Sequence, residues 1–264
     1  MVMAANGAHT CRLERPTVAD FGPDWYDEEY FVGAGGGKAF LRPDGTLGRW
    51  SYYNPTGEWL GCGPVVGAWL AIFRPRTLLD VGCGRSTFVA YARRAGIEAY
   101  GFDFSTWAIE HHYPGSRPGW LQVADARAVP FRDRAFDLVV ALDLLEHIYA
   151  EDVPTVLAEI FRVSRAYVFF EVATVGSGPG PEGMRHEEGY MLRRGQPIPP
   201  ELEGCAVAGH VTVQPRDWWE ERMMDADPAA EWVFRRDLEQ QFRALVPPEV
   251  IRNWNTIIVL SREA

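Results

Sequence analysis

The run Leu78–Leu79–Asp80–Val81–Gly82–Cys83–Gly84–Arg85–Ser86–Thr87 restricts the fold more than any other part of the chain. Thr77 to Val81 is an apolar run of the length of a short buried strand. Gly82 and Gly84 then allow a tight turn, and from about Ser86 the residues Phe88, Val89, Tyr91 and Ala92 follow a helical spacing. Strand, glycine turn and helix start form the corner at which a doubly wound α/β sheet receives a nucleotide or phosphate. Without Cβ atoms, the glycines let a ligand come close to the backbone. Several glycine-rich families share this corner, so its continuation decides.

The next apolar run, Ala99–Tyr100–Gly101–Phe102–Asp103–Phe104–Ser105, reads as a strand ending in an acid. An acid placed there can accept hydrogen bonds from both hydroxyls of a ribose. Leu121–Gln122–Val123–Ala124–Asp125–Ala126 is a third strand ending in an acid. Phe136 to Leu142 is a fourth, and Asp143–Leu144–Leu145–Glu146–His147 follows it. With these four motifs in this order over residues 77–172, the chain resembles the class I S-adenosylmethionine-dependent methyltransferases. The resemblance implies an α/β three-layer sandwich with a mostly parallel seven-stranded sheet, and S-adenosyl-L-methionine as cofactor. It implies that Asp80 and the backbone of Gly82, Cys83 and Gly84 hold the amino-acid end. It also implies that Asp103 takes the ribose hydroxyls and that Phe104 lies against the adenine. Asp125 would accept from the adenine amino group with the Ala126 amide nearby, and Asp143 and Leu144 would line the methionine end. Two departures stand out. The third glycine of the dinucleotide fingerprint is Thr87, which disfavours a pyrophosphate cradle, and the family's usual glycine at position 86 is a serine.

Composition limits the partners. The 264 residues carry a formal net charge of −10, and no run of Lys or Arg is present, so a nucleic-acid backbone would on average be repelled. A hydrophobic fraction of 47% permits a full core. No uninterrupted apolar stretch is long enough to span a bilayer, and Met1 to Thr10 lacks the basic and apolar regions of a secretory signal. Cys11, Cys62, Cys83 and Cys205 form no C-x-x-C and no zinc-finger spacing, as expected of reduced thiols in a cytoplasmic protein.

The chain is expected to form one domain in four parts: a tail and aromatic cap (1–64), the cofactor-binding core (65–172), a variable substrate or lid region (173–230), and a closing helix and strand (231–264). Residues 1–20 read as a loose tail and Gly33 to Gly37 as a hinge-like loop. In the core, helices over 65–73, 86–95, 105–112 and 151–163 alternate with strands over 77–81, 98–102, 120–124, 136–142 and 166–172. Such alternation builds a parallel sheet with right-handed crossovers. Residues 173–209 show no periodicity. A short strand over 210–213, helices starting at 215 and over 231–245, and a strand over 255–261 follow. Trp218 and Trp219 read as packing residues, and His111, His112 and His186 as surface ones.

Methyl transfer is an in-line displacement at a sulfonium methyl, so the protein chiefly supplies position and a dry site. A base is needed only for a protonated acceptor. His147, His210 and Glu146 are the candidates for that role. Tyr52, Tyr53 and Trp59 are the candidates for a substrate wall, since aromatic faces suit a sulfonium or a ring. The D-x-x-E-H spacing of Asp143, Glu146 and His147 could hold a divalent cation, as in one quinone-pathway branch of the family. A packing or capping histidine, with no metal, is the preferred reading. The expected function is therefore methyl transfer to an oxygen or nitrogen of a small molecule, with no nucleic acid and no membrane as partner and the oligomeric state open. Two alternatives remain: a nucleotide-dependent oxidoreductase, and a cofactor-binding protein without transferase activity.

Overall fold

A computed structural model describes residues 18–42, 44–59, 61–176, 188–251 and 256–263. Its centre is a seven-stranded sheet. Five strands follow the core motifs: β3 (Thr77–Val81), β4 (Glu98–Asp103), β5 (Leu121–Val123), β6 (Phe136–Leu142) and β7 (Ser164–Glu171). β10 (Trp232–Phe234) and β11 (Ile257–Arg262) complete it, in the order β10-β11-β7-β6-β3-β4-β5. β11 runs antiparallel to both neighbours, and the other pairings are parallel. The chain winds outward from β3 through β4 and β5, then returns to β6 on the other side of β3. That reversal opens a crevice at the carboxyl ends of β3 and β6, where ligands of such sheets bind.

Side-chain alternation along the strands explains the two outer layers. Leu79, Val81, Val139, Ala141, Val168 and Phe170 face one side. There they pack with α5 (Val153–Val163) and with Trp219 and Met223 of α7 (Arg216–Asp225). Leu78, Leu138, Val140 and Phe169 face the other. They meet α2 (Cys62–Phe73), α3 (Thr87–Arg94) and α8 (Arg236–Leu245), with Trp69 fully buried between them. A sheet covered on both faces needs the continuous apolar strands that this sequence supplies.

A third cluster lies over the carboxyl ends of the strands, and the sequence had divided it between two regions. It joins α1 (Glu28–Phe31), the antiparallel hairpin of β1 (Lys38–Leu41) and β2 (Leu47–Trp50), and α6 (Glu203–Ala206), beside the pair β8 (Tyr190–Met191) and β9 (Thr212–Val213). Tyr30 Oη donates to the Ala208 carbonyl at 3.0 Å, Tyr149 Oη to the Ala19 carbonyl at 2.7 Å, and the Leu41 amide to Glu203 Oε2 at 2.9 Å. The aromatic cap and the variable region thus form one lid.

Four expectations change. Of the tail, residues 18–20 are tied down: Val18 bridges Pro197, and Ala19 is fully buried. Residues 1–17, like His186 and the rest of 177–187, lie outside the described residues. The glycine loop 33–37 is pinned, because the amides of Gly35 and Gly37 both donate to the Glu29 carboxylate. The expected helix over 231–245 begins only at Arg236, since Trp232 to Phe234 pair with β11 instead. Within 188–209, where no periodicity was legible, β8 and α6 form because β9 and the cap offer them partners.

Candidate active site

A cavity of about 950 Å³ opens between the sheet's carboxyl edge and the lid. Its floor is built by strand ends. Asp80 is the next-to-last residue of β3 and is 2% exposed, Asp103 ends β4, Asp125 follows β5, Asp143 follows β6, and Glu171 ends β7. All ten residues assigned to the cofactor by resemblance line this one space: Asp80, Gly82, Cys83, Gly84, Asp103, Phe104, Asp125, Ala126, Asp143 and Leu144. Tyr52, Tyr53 and Trp59 line it as well, on the lid side.

The glycine turn is held by backbone bonds. The amides of Gly82 and Cys83 donate to the Phe102 carbonyl, each at 2.9 Å, and the Gly84 amide donates to Asp103 Oδ2 at 2.8 Å. Asp103 Oδ1 accepts from the Ser105 amide at 2.8 Å. Ser86, in place of the family's glycine, keeps a left-handed conformation at φ +65°. Its buried hydroxyl lies 2.9 Å from Ser116 Oγ, and Ser116 donates to the Ser86 carbonyl at 3.0 Å. The turn is preserved because neighbouring groups hold a residue that would otherwise avoid this conformation. Gly82 sits at φ +73°, and a Cβ there would lie 2.7 Å from Leu144 Cδ1. Gly82→Ala is therefore expected to lower the cofactor affinity about tenfold and stability by roughly 1–2 kcal/mol, the cost of left-handed backbone for an L-residue. Gly96→Ala (φ +88°, open space around the Cβ) should lower stability alone. Calorimetric titration beside thermal melts separates the two effects.

The electrostatics of the floor favour a cation. Burial, and then the charge of Asp103, push the Asp80 carboxyl up to about 8. Burial also raises Asp103, against the lowering effect of the Ser105 and Gly84 amides. Asp143 is open to the cavity but enclosed by the protein around it, which pushes its carboxyl to about 6. Burial and the nearby Asp143 push Glu171 to about 8. The arginines of the wall are already engaged. Arg85 donates to the carbonyls of His111, Asn54 and Pro55. Arg127 pairs with Asp125 at 2.6 Å and with Asp152 at 3.2 Å. Arg194 pairs with Asp152 at 2.9 Å and covers the Tyr149 ring. Among the described residues, Asp80, Asp103, Asp143 and Glu171 thus have no cationic partner, and a ligand carrying positive charge would meet that demand.

Asp125 differs from the expectation in its environment. Arg127 holds its carboxyl below the usual range, and both its oxygens accept from Arg127. Of the three candidate catalytic residues, only His147 lines the cavity. The tight turn Leu145–His147 directs adjacent side chains to different sides. Glu146 is consequently buried behind the wall, with Oε1 accepting from the Ala173 amide at 3.1 Å. His210 stands edge-on to His147, ring centroids 4.9 Å apart, and is set back from the cavity surface. Burial lowers the His147 imidazole to about 4, so it is neutral at physiological pH. Tyr26 was absent from the sequence-derived site. It lines the cavity with its hydroxyl 3.3 Å from His147 Nδ1 and its ring 5.1 Å from that of Phe104. No local spacing could announce it, since 121 positions separate it from His147.

Residues 79–169 match the family profile described as "Methyltransferase domain". Norajmaline N-methyltransferase of Rauvolfia serpentina is 27% identical over 131 residues, 46% of this chain and 44% of that protein. Malonyl-[acyl-carrier protein] O-methyltransferase of Pseudescherichia vulneris is 31% identical over 109 residues, 41% of this chain and 43% of that one. The chain thus spans under half the length of these curated relatives. Among solved structures, a TehB-like SAM-dependent methyltransferase from Corynebacterium glutamicum superposes with a TM-score of 0.46 at 14% identity, covering 78% of this chain and 89% of that one. Residues 79–169 thus match a methyltransferase-domain profile, and the sheet built around them is the mostly parallel seven-stranded one that the resemblance to the class I S-adenosylmethionine-dependent methyltransferases implies.

Proposed function

We propose that this chain transfers the methyl group of S-adenosyl-L-methionine to an oxygen or nitrogen of a small-molecule acceptor. The supporting observation is the two-sided cavity, with carboxyl groups along the sheet, of which Asp125 alone is paired with an arginine of the wall, and aromatic rings along the lid. Bound S-adenosylmethionine would supply a sulfonium methyl as electrophile and an ammonium for the acids. Asp80 and the Gly82–Gly84 backbone would hold the amino-acid end, Asp103 the ribose and Phe104 the adenine face. Arg85 is spent on backbone carbonyls, so the turn offers no free guanidinium to a pyrophosphate. That argues against a nicotinamide dinucleotide.

The rings of Tyr26, Tyr52, Tyr53 and Trp59 would exclude water and orient the acceptor, and positioning of this kind is most of what methyl transfer requires. A volume of about 950 Å³ is at the upper end for a ligand site and leaves room for an acceptor beside the cofactor. The relatives named above carry N- and O-methyltransferase names, in keeping with either acceptor atom. Among the described residues, no helix is long and apolar enough to cross a membrane. The test is transfer of labelled methyl from S-adenosylmethionine to panels of phenols, alcohols and amines, with RNA and unfolded protein alongside. Turnover confined to the small-molecule panels supports the reading. Labelling only of the macromolecules, or of nothing while the cofactor binds, contradicts it.

A further inference from the structure

Behind the cavity wall, one ligand-type atom from each of Glu146, His147 and His210 lies within 4.8 Å of the others. Long-range bonds assemble the three. The Val211 amide donates to the Glu146 carbonyl at 2.8 Å, and Thr212 Oγ1 donates to the Ile148 carbonyl at 2.7 Å. These bonds lay the segment entering β9 along the Leu145–His147 turn and bring His210 to a histidine 63 positions earlier. On the far side of the same residue, Tyr190 Oη donates to the His210 carbonyl at 3.1 Å.

The second observation concerns Glu146 alone. Its side chain is fully buried, yet Oε2 has no hydrogen-bond partner among the described residues. A buried carboxylate oxygen left without a partner is costly, and native proteins seldom keep one without a reason. A cation held between the carboxylate and the two imidazoles would supply the missing partner.

We propose that Glu146, His147 and His210 bind a divalent transition-metal ion at the wall of the cavity. Two imidazoles and one carboxylate suit zinc, iron, cobalt or manganese better than calcium or magnesium, which favour sets of oxygen ligands. Donors about 2.0–2.2 Å from one ion lie about 3–3.5 Å apart, so small side-chain rotations would close the set. Tyr26 Oη beside His147 Nδ1 helps to fix that ring, as outer partners of metal ligands do. Three protein ligands leave coordination positions open. Since His147 reaches the cavity, an acceptor with an oxygen donor could occupy one of them. The acceptor class this implies is an oxygen-bearing ligand such as a phenolate, and that part rests on the proposed function. The donor set differs from the sequence spacing D-x-x-E-H, since Asp143 is not among the converging side chains.

The test is calorimetric titration of the full chain, carrying no histidine tag and pretreated with chelator, with Co²⁺ and Zn²⁺. The absorption of bound Co²⁺ reports its ligands. The expected result is one ion per chain with micromolar or tighter affinity, weakened about tenfold or more by Glu146→Gln and by His210→Ala. Melting curves in chelator establish that both variants fold, and His210, being only half-buried, gives a second reading if Glu146→Gln does not. Affinity for S-adenosylmethionine is measured on the same metal-free samples. Cofactor binding without ion binding overturns this proposal and leaves the proposed function standing, and the converse overturns only the latter. Absence of ion binding below ~100 µM, or binding unchanged in either folded variant, overturns the metal site.

Discussion

Asp103→Ala is expected to weaken binding of S-adenosylmethionine about 100-fold or more and to lower stability by about 2–4 kcal/mol. The carboxylate accepts from the Gly84 and Ser105 amides, both at 2.8 Å, so it braces the glycine turn before any ligand arrives. Hydrogen bonds to a charged group are each worth roughly 1.5–3 kcal/mol net, and alanine would leave two amides without their acceptor. In the proposed complex the same carboxylate also receives the ribose hydroxyls, and at about 1.4 kcal/mol per tenfold their loss adds directly to the change in affinity. Asp103→Asn keeps one acceptor oxygen and should fall between the two proteins. Chemical denaturation and calorimetric titration read the stability and the affinity separately. Equal cofactor affinity in the wild type and the alanine variant would remove Asp103 from the site.

Asp80→Asn should have the opposite effect on stability. In the unfolded chain this carboxyl ionises near 3.8, whereas in the folded protein, 2% exposed and beside Asp103, it ionises only near 8. Between these values the folded state holds a proton that the unfolded state has released. Stability is therefore undiminished below about pH 4 and falls as the pH rises through 8. The full difference is on the order of 5 kcal/mol. An asparagine never ionises, so the variant should match the wild type in acid and exceed it at pH 8.5. Each kcal/mol moves the melting temperature of a chain this size by roughly 2–4 °C, so a gap on the order of 10 °C is expected. Cofactor affinity should fall in the variant, because the ammonium loses its charged partner. A functional site often retains such a destabilising group for the sake of its ligand. In the wild type, cofactor binding near pH 7 should release a proton, seen as a dependence of the binding heat on the buffer's ionisation enthalpy. A melting difference that stays constant from pH 4 to 8.5 would contradict this account.

The core was legible because its signals are local. Leu78, Leu79 and Val81 form an apolar run next to glycines that need left-handed backbone. Asp103, Asp125 and Asp143 recur after successive strands, so their positions at one edge follow from the parallel winding. The lid was not legible, because its elements are stabilised from outside themselves. β2 contains Gly48, whose missing Cβ makes room for the Phe40 ring: an added Cβ would lie 2.3 Å from Cζ. A glycine accommodated in this way breaks the apolar alternation by which a strand is recognised. β8 and β9 are two residues each and exist only as partners. Tyr26 and His210 reach His147 through tertiary packing, and no spacing along the chain predicts that meeting. Asp125 lines the cavity after β5, but its salt bridge with Arg127 spans only two positions and gave no signal that it would occupy the carboxylate.

The central claim is that the acidic floor of the cavity is a site for a sulfonium nucleoside. Isothermal titration of the full chain with S-adenosylmethionine, S-adenosylhomocysteine and NAD tests it most directly. The account predicts one site that binds both sulfur nucleosides, does not bind NAD, and is severely weakened in Asp103→Ala. Binding of NAD at that site, or no binding of either sulfur nucleoside to the folded protein, would contradict it.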